Sequence, residues 1–506
     1  MNSSLQRIGF FAGPLGAIAL FLVLPDHYVD TQKALTPLSF AAKTTLCITF
    51  LMALWWLTEA IDLSATALLP IVLFPLLGVN DIKSTTATYA SPLIFLFMGG
   101  FLIALALHRW KLDERLAAKV LRVSGTSPRA IIAAFMFTAA VLSAFISNTA
   151  TTALMLPIGL SIIALFSSET LSEHEDVDTL RAQANFAKCL MLGLAYAASI
   201  GGTTTLIGTA PNLFLASFLN EGIAPAFQFD MSFSQWSLMM APLALIFLPI
   251  IWLLLSYVSF PIDSSKLHLQ KNISDHQPTA LNRGQILTLS IFALTVFLWI
   301  FRSPLQHWSV HISGHSVQPL ANLSDAGIAM LAACLLFIIP ADFKQRRFLM
   351  DWTTATKLPW GLFILFGGGL ALAKAIQQNG VASFIGAQAN HLPDLPEIVI
   401  LVIICSGVIF LTELTSNTAT TATLIPLLAG IAIGLGVHPH LLIIPATLAA
   451  SFAFMMPIAT PPNAIVFGSG YLRIGDMVSA GLWLNIIAII IISSYSLWVI
   501  KPMMQL

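Results

Sequence analysis

The sequence is short of charge. Lys, Arg, Asp and Glu make up only 9% of its 506 residues, against 57% hydrophobic residues. A soluble chain carries roughly a quarter of its residues as charges to cover its surface, so a water-soluble globular protein is excluded. Regular alternation of apolar and polar residues is also missing from the apolar runs, which excludes a transmembrane β-barrel. Net charge is absent, 23 basic residues balancing 23 acidic ones. No long basic stretch is interleaved with aromatics, so nucleic acid is not an expected partner. Cysteine is scarce. Cys47, Cys189, Cys334 and Cys405 lie in apolar segments without CxxC spacing and read as small core residues, neither disulfides nor metal ligands. No small-x-small cleavage site follows the apolar run 8–24, which Arg7 precedes and PDHYVD follows. That run reads as an uncleaved first span.

Long apolar runs are what the chain has in abundance. Runs near the ~20 residues needed to span a bilayer fall at about 8–24, 41–58, 62–79, 92–109, 186–219, 237–259, 286–302, 323–340, 360–377, 441–468 and 479–501. The expected fold class is an all-α polytopic membrane protein with about eleven transmembrane helices.

One heptapeptide occurs twice. SNTATTA stands at 147–153 and again at 416–422, each copy followed by a proline, Pro157 and Pro426. The same 269-residue offset places Gly99-Gly100 on Gly368-Gly369, which indicates a duplicated unit. The motifs split two further apolar stretches, 130–165 and 397–436. Ser, Asn and Thr favour helix N-termini over helix interiors, so each stretch reads as two short helices meeting at a polar tip, a re-entrant hairpin. Irregular backbone at membrane depth survives only where protein buries it or it lines a cavity. Two full spans look interrupted as well, by GGTTTLIGTAPN at 201–212 and MPIATPPN at 456–463, both ending in Pro-Asn. Each repeat therefore supplies one hairpin and one broken helix, with its site between repeats.

Lys and Arg are distributed unevenly across this topology. With the N-terminus inside, the inner face carries Arg7, Arg109, Lys111, Arg115, Lys119, Arg122, Arg129, Arg181, Lys266, Lys271, Arg283, Lys344, Arg346, Arg347, Lys357 and Arg473. The outer face carries only Lys33, Lys83, Arg302 and Lys501, as the positive-inside rule requires. Lys43, Lys188 and Lys374 lie within or at the ends of spans. Eleven crossings put the C-terminus outside, and the two halves, roughly 41–259 and 286–501, start on opposite sides, so the repeat is inverted. The linker 167–185, rich in Glu and Asp, and the linker 260–284 read as solvated connections.

The candidate site residues follow from these breaks. Ser147-Asn148-Thr149 and Ser416-Asn417-Thr418 each open a half-helix, whose free N–H groups and dipole favour an anion. Asparagine can donate to a carboxylate and offer its oxygen to a cation. The plain alternative is helix capping and interhelical hydrogen bonding, which a duplicated seven-residue match disfavours. One turn upstream, Ser143 and Thr412 add hydroxyls, and carbonyls near Gly201-Gly202 and Ala459-Thr460 add more. An oxygen set of this kind suits Na⁺. Glu413 lies inside the second hairpin and either tunes the cation site or pairs with a neighbour. Glu59 and Asp62 flank a solvated turn. His307, His311 and His315, and also His438 and His440, read as solvated loop residues. No basic residue faces the anion, and no histidine or Asp pair at membrane depth serves an intramembrane hydrolase.

The paired SNTATT motifs, GGTTTLIGTAPN and ATPPNAIVFGSG together resemble the divalent anion:sodium symporter family of dicarboxylate and citrate carriers, over nearly the whole chain. The resemblance implies a homodimer working as an elevator, in which 130–259 and 397–506 form a transport part and 1–129 and 260–396 a scaffold. It implies substrate contacts from Ser147, Asn148, Thr149, Gly202, Thr203, Ser416, Asn417, Thr418, Thr460 and Pro461. It implies one Na⁺ site at Ser143, Ser147, Asn148 and Gly202, and another at Thr412, Ser416, Asn417 and Ala459. Because both hydroxyls and both asparagines are present, Na⁺-coupled import of a di- or tricarboxylate is favoured over Na⁺-independent exchange. A bacterial inner membrane is the expected location, and the particular anion stays open.

Overall fold

The computed structural model describes residues 4–30, 33–123, 125, 127–167, 177–265, 267, 280–312, 315–390, 393 and 395–505. Glu169, Glu173, Glu175 and Asp176 of the first linker, and Lys266 and Lys271 of the second, lie outside the described residues.

Among the described residues, nine helices are long and apolar enough to cross a membrane, and six further apolar helices have 10–17 residues. Helices satisfy their backbone groups internally, as a bilayer interior demands. Strands occur among the described residues only as three two-stranded antiparallel hairpins in connections: His27–Val29 with Leu35–Pro37, Val310–Ile312 with His315–Val317, and Pro340–Asp342 with Arg347–Phe348. The protein is an all-α polytopic membrane protein.

The repeat holds element by element. Helices Pro92–Arg109, Pro128–Ser143 and Asn148–Ser167 correspond to Trp360–Gln378, Glu397–Thr412 and Asn417–Gly434. A fourth pair was not expected: Leu112–Val123 and Val381–Ala389, whose first residues are also 269 apart. These connecting helices join each glycine helix to its hairpin. The first opens with Asp113 and Glu114, too polar to show as an apolar run. Leu105 and His108 from the end of Pro92–Arg109 line one cavity together with Leu362 from the start of Trp360–Gln378. The two glycine helices therefore run antiparallel, and the repeat is inverted.

Length keeps the entering arm of each hairpin from crossing. Pro128–Ser143 has 16 residues, about 24 Å at 1.5 Å per residue, short of the ~30 Å hydrocarbon core. The chain turns at 144–147 and returns. The two hairpins pack against the first segments of the two broken spans, Val177–Gly202 and Pro439–Ser451. The broken spans resume as Ala210–Ser217 and Pro461–Phe467, each with proline in its first turn, where the missing N–H costs nothing.

Three expectations need correction. The span 62–79 is two short helices, Leu63–Thr66 and Leu69–Leu76. Pro70 and Pro75 cannot donate to the preceding turn, and the carbonyl freed at Ala67 accepts from Tyr89 Oη at 2.5 Å. Gly368 packs on this same bend: a Cβ there would lie 2.3 Å from Ala67 O. Its counterpart Gly99 packs on Ala329 of helix Asp325–Ile338, so each glycine helix leans on the other half. Secondly, Cys334 is exposed, whereas the other three cysteines are buried. Thirdly, His440 is buried and donates from Nε2 to Phe227 O at 2.7 Å. It ties the start of the second broken span to the loop after the first.

Candidate functional site

Both hairpin tips reach one cavity of about 720 Å³. Ser147, Asn148 and Thr149 line it from the first hairpin, and Ser416, Asn417 and Thr418 from the second. Gly208 to Pro211 and Ala459 to Pro462 line it from the broken spans. The return helices begin at Asn148 and Asn417. The amides of Thr151 and Thr420 donate to the Ser147 and Ser416 carbonyls, both at 2.9 Å. The amides ahead of them have no partner within the helix, so the cavity receives N–H groups and the positive ends of dipoles. Ser147 Oγ accepts weakly from Ala150 N at 3.3 Å. Ser416 makes no side-chain capping bond.

Behind each tip stands a matched pair of oxygens. Ser143 Oγ donates to Asn148 Oδ1 at 2.6 Å. Thr412 Oγ1 donates to Asn417 Oδ1 at 2.7 Å and approaches Ala450 O at 3.1 Å. Gly202 presses against the first pair: a Cβ there would stand 2.1 Å from Asn148 Oδ1. Only glycine fits at that approach.

Two asparagines that the sequence reading passed over hold the breaks open. Asn212 Nδ2 donates to the carbonyls of Gly202, Thr203 and Thr205 at 3.2, 3.2 and 2.8 Å. Asn463 Nδ2 donates to Ala453 O at 3.1 Å and Met456 O at 3.0 Å. The signal was the shared Pro-Asn ending of the two interruptions. Asn212 and Asn463 are 251 positions apart, and by that register Ala459 corresponds to Gly208, not to Gly202.

This register corrects the expected substrate contacts. Gly202 and Thr203 are buried and do not line the cavity; Gly208, Thr209 and Ala210 do. The helix runs through Gly202 before it breaks, and Thr203 Oγ1 turns back to donate to Ile200 O at 2.7 Å. The remaining expected substrate contacts, Ser147, Asn148, Thr149, Ser416, Asn417, Thr418, Thr460 and Pro461, all line it, as does Ala459 of the expected second Na⁺ site, while Ser143 and Thr412 do not.

Glu413 is 3% exposed and faces the break, not the cavity. Its carboxylate accepts from the amides of Phe454, Met455 and Met456 at 2.8, 2.9 and 2.9 Å, and from Asn485 Nδ2 at 2.7 Å. Four donors on one carboxylate fix the unwound backbone beside Ala459. The tether has no counterpart in the first half, where Ala144 occupies the equivalent place. Asn485 was legible only as a lone polar residue in GLWLNIIAII.

Among the described residues, Glu59 is the one charged side chain that lines the cavity, at a mouth shared with Leu5, Gln6 and Leu57. No group of three or more His, Cys, Asp or Glu side chains forms a metal cluster among them. An anion in this cavity meets amides, hydroxyls and helix ends. A monovalent cation meets neutral oxygens.

Two inverted hairpins and two interrupted helices that converge on one polar cavity define a membrane transport protein. The chain belongs to the sodium:sulfate symporter family, whose transmembrane region matches residues 34–506. It is 37% identical to the sodium-dependent dicarboxylate transporter SdcS of Staphylococcus saprophyticus, over 99% of this chain and 92% of that one. It is 40% identical to SdcS of Staphylococcus aureus strain USA300, over 96% of this chain and 90% of that one. Its fold is similar to the YdaH transporter of Alcanivorax borkumensis, with TM-score 0.62 and 14% identity, over 98% of both chains. It is also similar to MtrF of Neisseria gonorrhoeae, with TM-score 0.59 and 14% identity, over 98% and 94% of the two chains.

Proposed function

We propose that this protein imports di- or tricarboxylates of the succinate, malate and citrate class together with Na⁺. One observation carries the reading: a single cavity faced by duplicated helix N-termini, with a hydroxyl–asparagine oxygen pair behind each. A carboxylate at either end of the substrate meets one tip, and a Na⁺ beside each asparagine supplies the positive charge that the cavity wall lacks. The dicarboxylate and sodium dependence of the staphylococcal relatives supports both parts.

Ser147, Asn148, Thr149, Thr209, Ser416, Asn417, Thr418, Thr460 and Pro461 contact the anion. Ser143, Ser147, Asn148 and Gly202 hold one Na⁺, and Thr412, Ser416, Asn417 and Ala459 hold the other. The cavity opens beside the N-terminal helix and the turn at Glu59. The Lys and Arg distribution supports reading this as the cytoplasmic face, in an inward-open conformation with the C-terminus outside. Residues 130–259 and 397–506 move as a transport part against a scaffold of 1–129 and 260–396, in a homodimer of the bacterial inner membrane.

The test is uptake into proteoliposomes of labelled dicarboxylates, citrate, tartrate and sulfate, with and without an inward Na⁺ gradient. Uptake of a dicarboxylate or citrate that needs Na⁺ is the expected result. Equal uptake in choline medium with strong stimulation by internal dicarboxylate overturns Na⁺ coupling in favour of exchange.

A further inference from the structure

The 269-residue repeat relates two cavities at opposite ends of the glycine helices. The larger, about 650 Å³, lies on the face to which the central cavity opens, and Phe101, Leu105 and Lys357 line it. The smaller, about 290 Å³, is lined by Thr88, Leu370 and Lys374. Moved by 269 positions, Thr88 becomes Lys357, Phe101 becomes Leu370, and Leu105 becomes Lys374. The second cavity is therefore the repeat-mate of the first. Lys374 lies 12 residues beyond Leu362 on helix Trp360–Gln378, about 18 Å along the axis, which puts it at the other face. Each cavity has one lysine on its scaffold wall, from a different position of the repeat.

The opposing walls differ. The first hairpin lines the larger cavity, with Ser147, Thr149 and Thr151. The smaller is lined on that side by the loop after the first broken span, which brings in Asn220, Glu221 and Gln228. Glu221 thus sets a carboxylate in the same small cavity as Lys374. Ser91, just ahead of helix Pro92–Arg109, donates to Glu221 Oε1 at 3.4 Å, so this carboxylate also lies at a helix N-terminus.

We propose that the Thr88–Lys374 cavity is the closed outer vestibule, where Lys374 draws the carboxylate substrate inward once Glu221 is carried away with the transport part. Glu221 holds the place of a substrate carboxylate in the inward-open state. Lys374 serves as an affinity-determining residue for the outer face alone, while Lys357 occupies the corresponding inner mouth. This rests on the carboxylate transport proposed above.

The experiment measures KM for a labelled dicarboxylate from each face separately, by uptake into cells and by uptake into inside-out vesicles, at saturating Na⁺. Lys374→Gln is expected to raise the outer KM about fivefold, in keeping with a focused charge on an approach path, and to leave the inner KM within about twofold. Lys374→Arg restores the outer KM. Lys374→Cys, in a protein without its other cysteines, recovers with a cationic thiosulfonate reagent and worsens with an anionic one. An unchanged outer KM, an equal rise at both faces, or an arginine variant as impaired as glutamine overturns the proposal. Absence of any wild-type carboxylate transport overturns the functional reading, and this inference with it. Normal wild-type transport with an indifferent Lys374→Gln overturns this inference alone.

Discussion

Asn148 and Asn417 each serve two purposes with one amide. Oδ1 accepts from the hydroxyl behind it, while the side chain lines the cavity in front. We expect Asn148→Ala and Asn417→Ala each to abolish Na⁺-dependent uptake with expression and thermal stability close to wild type. A lost hydrogen bond to a charged group costs about 1.5–3 kcal/mol, before any loss of Na⁺. Wild-type uptake by either folded variant would sink the assignment. Glu413 makes a different prediction, because its four donors all belong to the protein. In Glu413→Gln the amide nitrogen must face an N–H donor, leaving a buried group unpaired at about 1–3 kcal/mol. Thermal stability should fall, and half-saturation should move to higher Na⁺ as the backbone beside Ala459 loosens. The check is a melting curve titrated with NaCl. An unchanged melting temperature and Na⁺ midpoint would show that the tether is dispensable. The asparagines were legible in the sequence because they recur; Glu413's partners were not. Three of its four donors are backbone amides 41 to 43 residues away, and no residue type announces them.

Elements were legible wherever hydropathy and repetition agreed. The hairpins Pro128–Ser167 and Glu397–Gly434 fall where the SNT motifs split their apolar runs, and the Pro-Asn endings mark the resumption of both broken spans. The connecting helices Leu112–Val123 and Val381–Ala389 stayed hidden. One is too charged and the other, at 9 residues, too short to register as a span. The register of the first break slipped for a related reason. Glycine and threonine fit both the end of a helix and the turn after it, so composition did not reveal that Gly208, not Gly202, answers Ala459. The connecting helix Val381–Ala389 carries a prediction of its own. It meets the second hairpin through Gly386, Gly430 and Gly434, and a Cβ on Gly434 would lie 1.9 Å from Gly386 O. A backbone atom cannot rotate aside, so Gly434→Ala must separate the two helices. Overpacking of this kind costs about 1–3 kcal/mol. Thermal unfolding in detergent should show a lower midpoint for Gly434→Ala and no change for Gly407→Ala, where an added Cβ meets nothing within 4 Å. Equal midpoints in the two variants would mean that the close approach contributes no stability.

At the scale of the whole molecule, the proposed transport cycle links charge movement to body movement. A dianion is driven outward by a negative-inside membrane at about 2.3 kcal/mol per charge per 100 mV. Voltage pulls the cycle inward only if more than two Na⁺ accompany it. Uptake should therefore rise sigmoidally with Na⁺ and strengthen as the interior becomes more negative. Voltage-independent uptake in a potassium-diffusion assay would rule that stoichiometry out. The carrier must also present its cavity to each face in turn. Gly100 of the proposed scaffold faces Ile207 of the first break, and a Cβ built on Gly100 lies 3.3 Å from Ile207 Cβ. That separation is close to the 3.5–4.5 Å of a disulfide. The pair Gly100→Cys and Ile207→Cys, in a protein lacking Cys47, Cys189, Cys334 and Cys405, should crosslink on oxidation and pin the transport part in the inward-open position. Transport should stop while Na⁺-dependent substrate binding from the cytoplasmic face persists, and reduction should restore uptake. The glycine helices make this contact informative. Gly99 and Gly368 seat on Ala329 and Ala67 of the proposed scaffold, whereas Gly100 and Gly369 face Ile207 and Phe214 of the proposed transport part, so on that proposal adjacent glycines would separate a fixed face from a sliding one. Full crosslinking with unchanged uptake would mean that the two parts do not move past each other here. Gating by the hairpins alone would then have to carry substrate across.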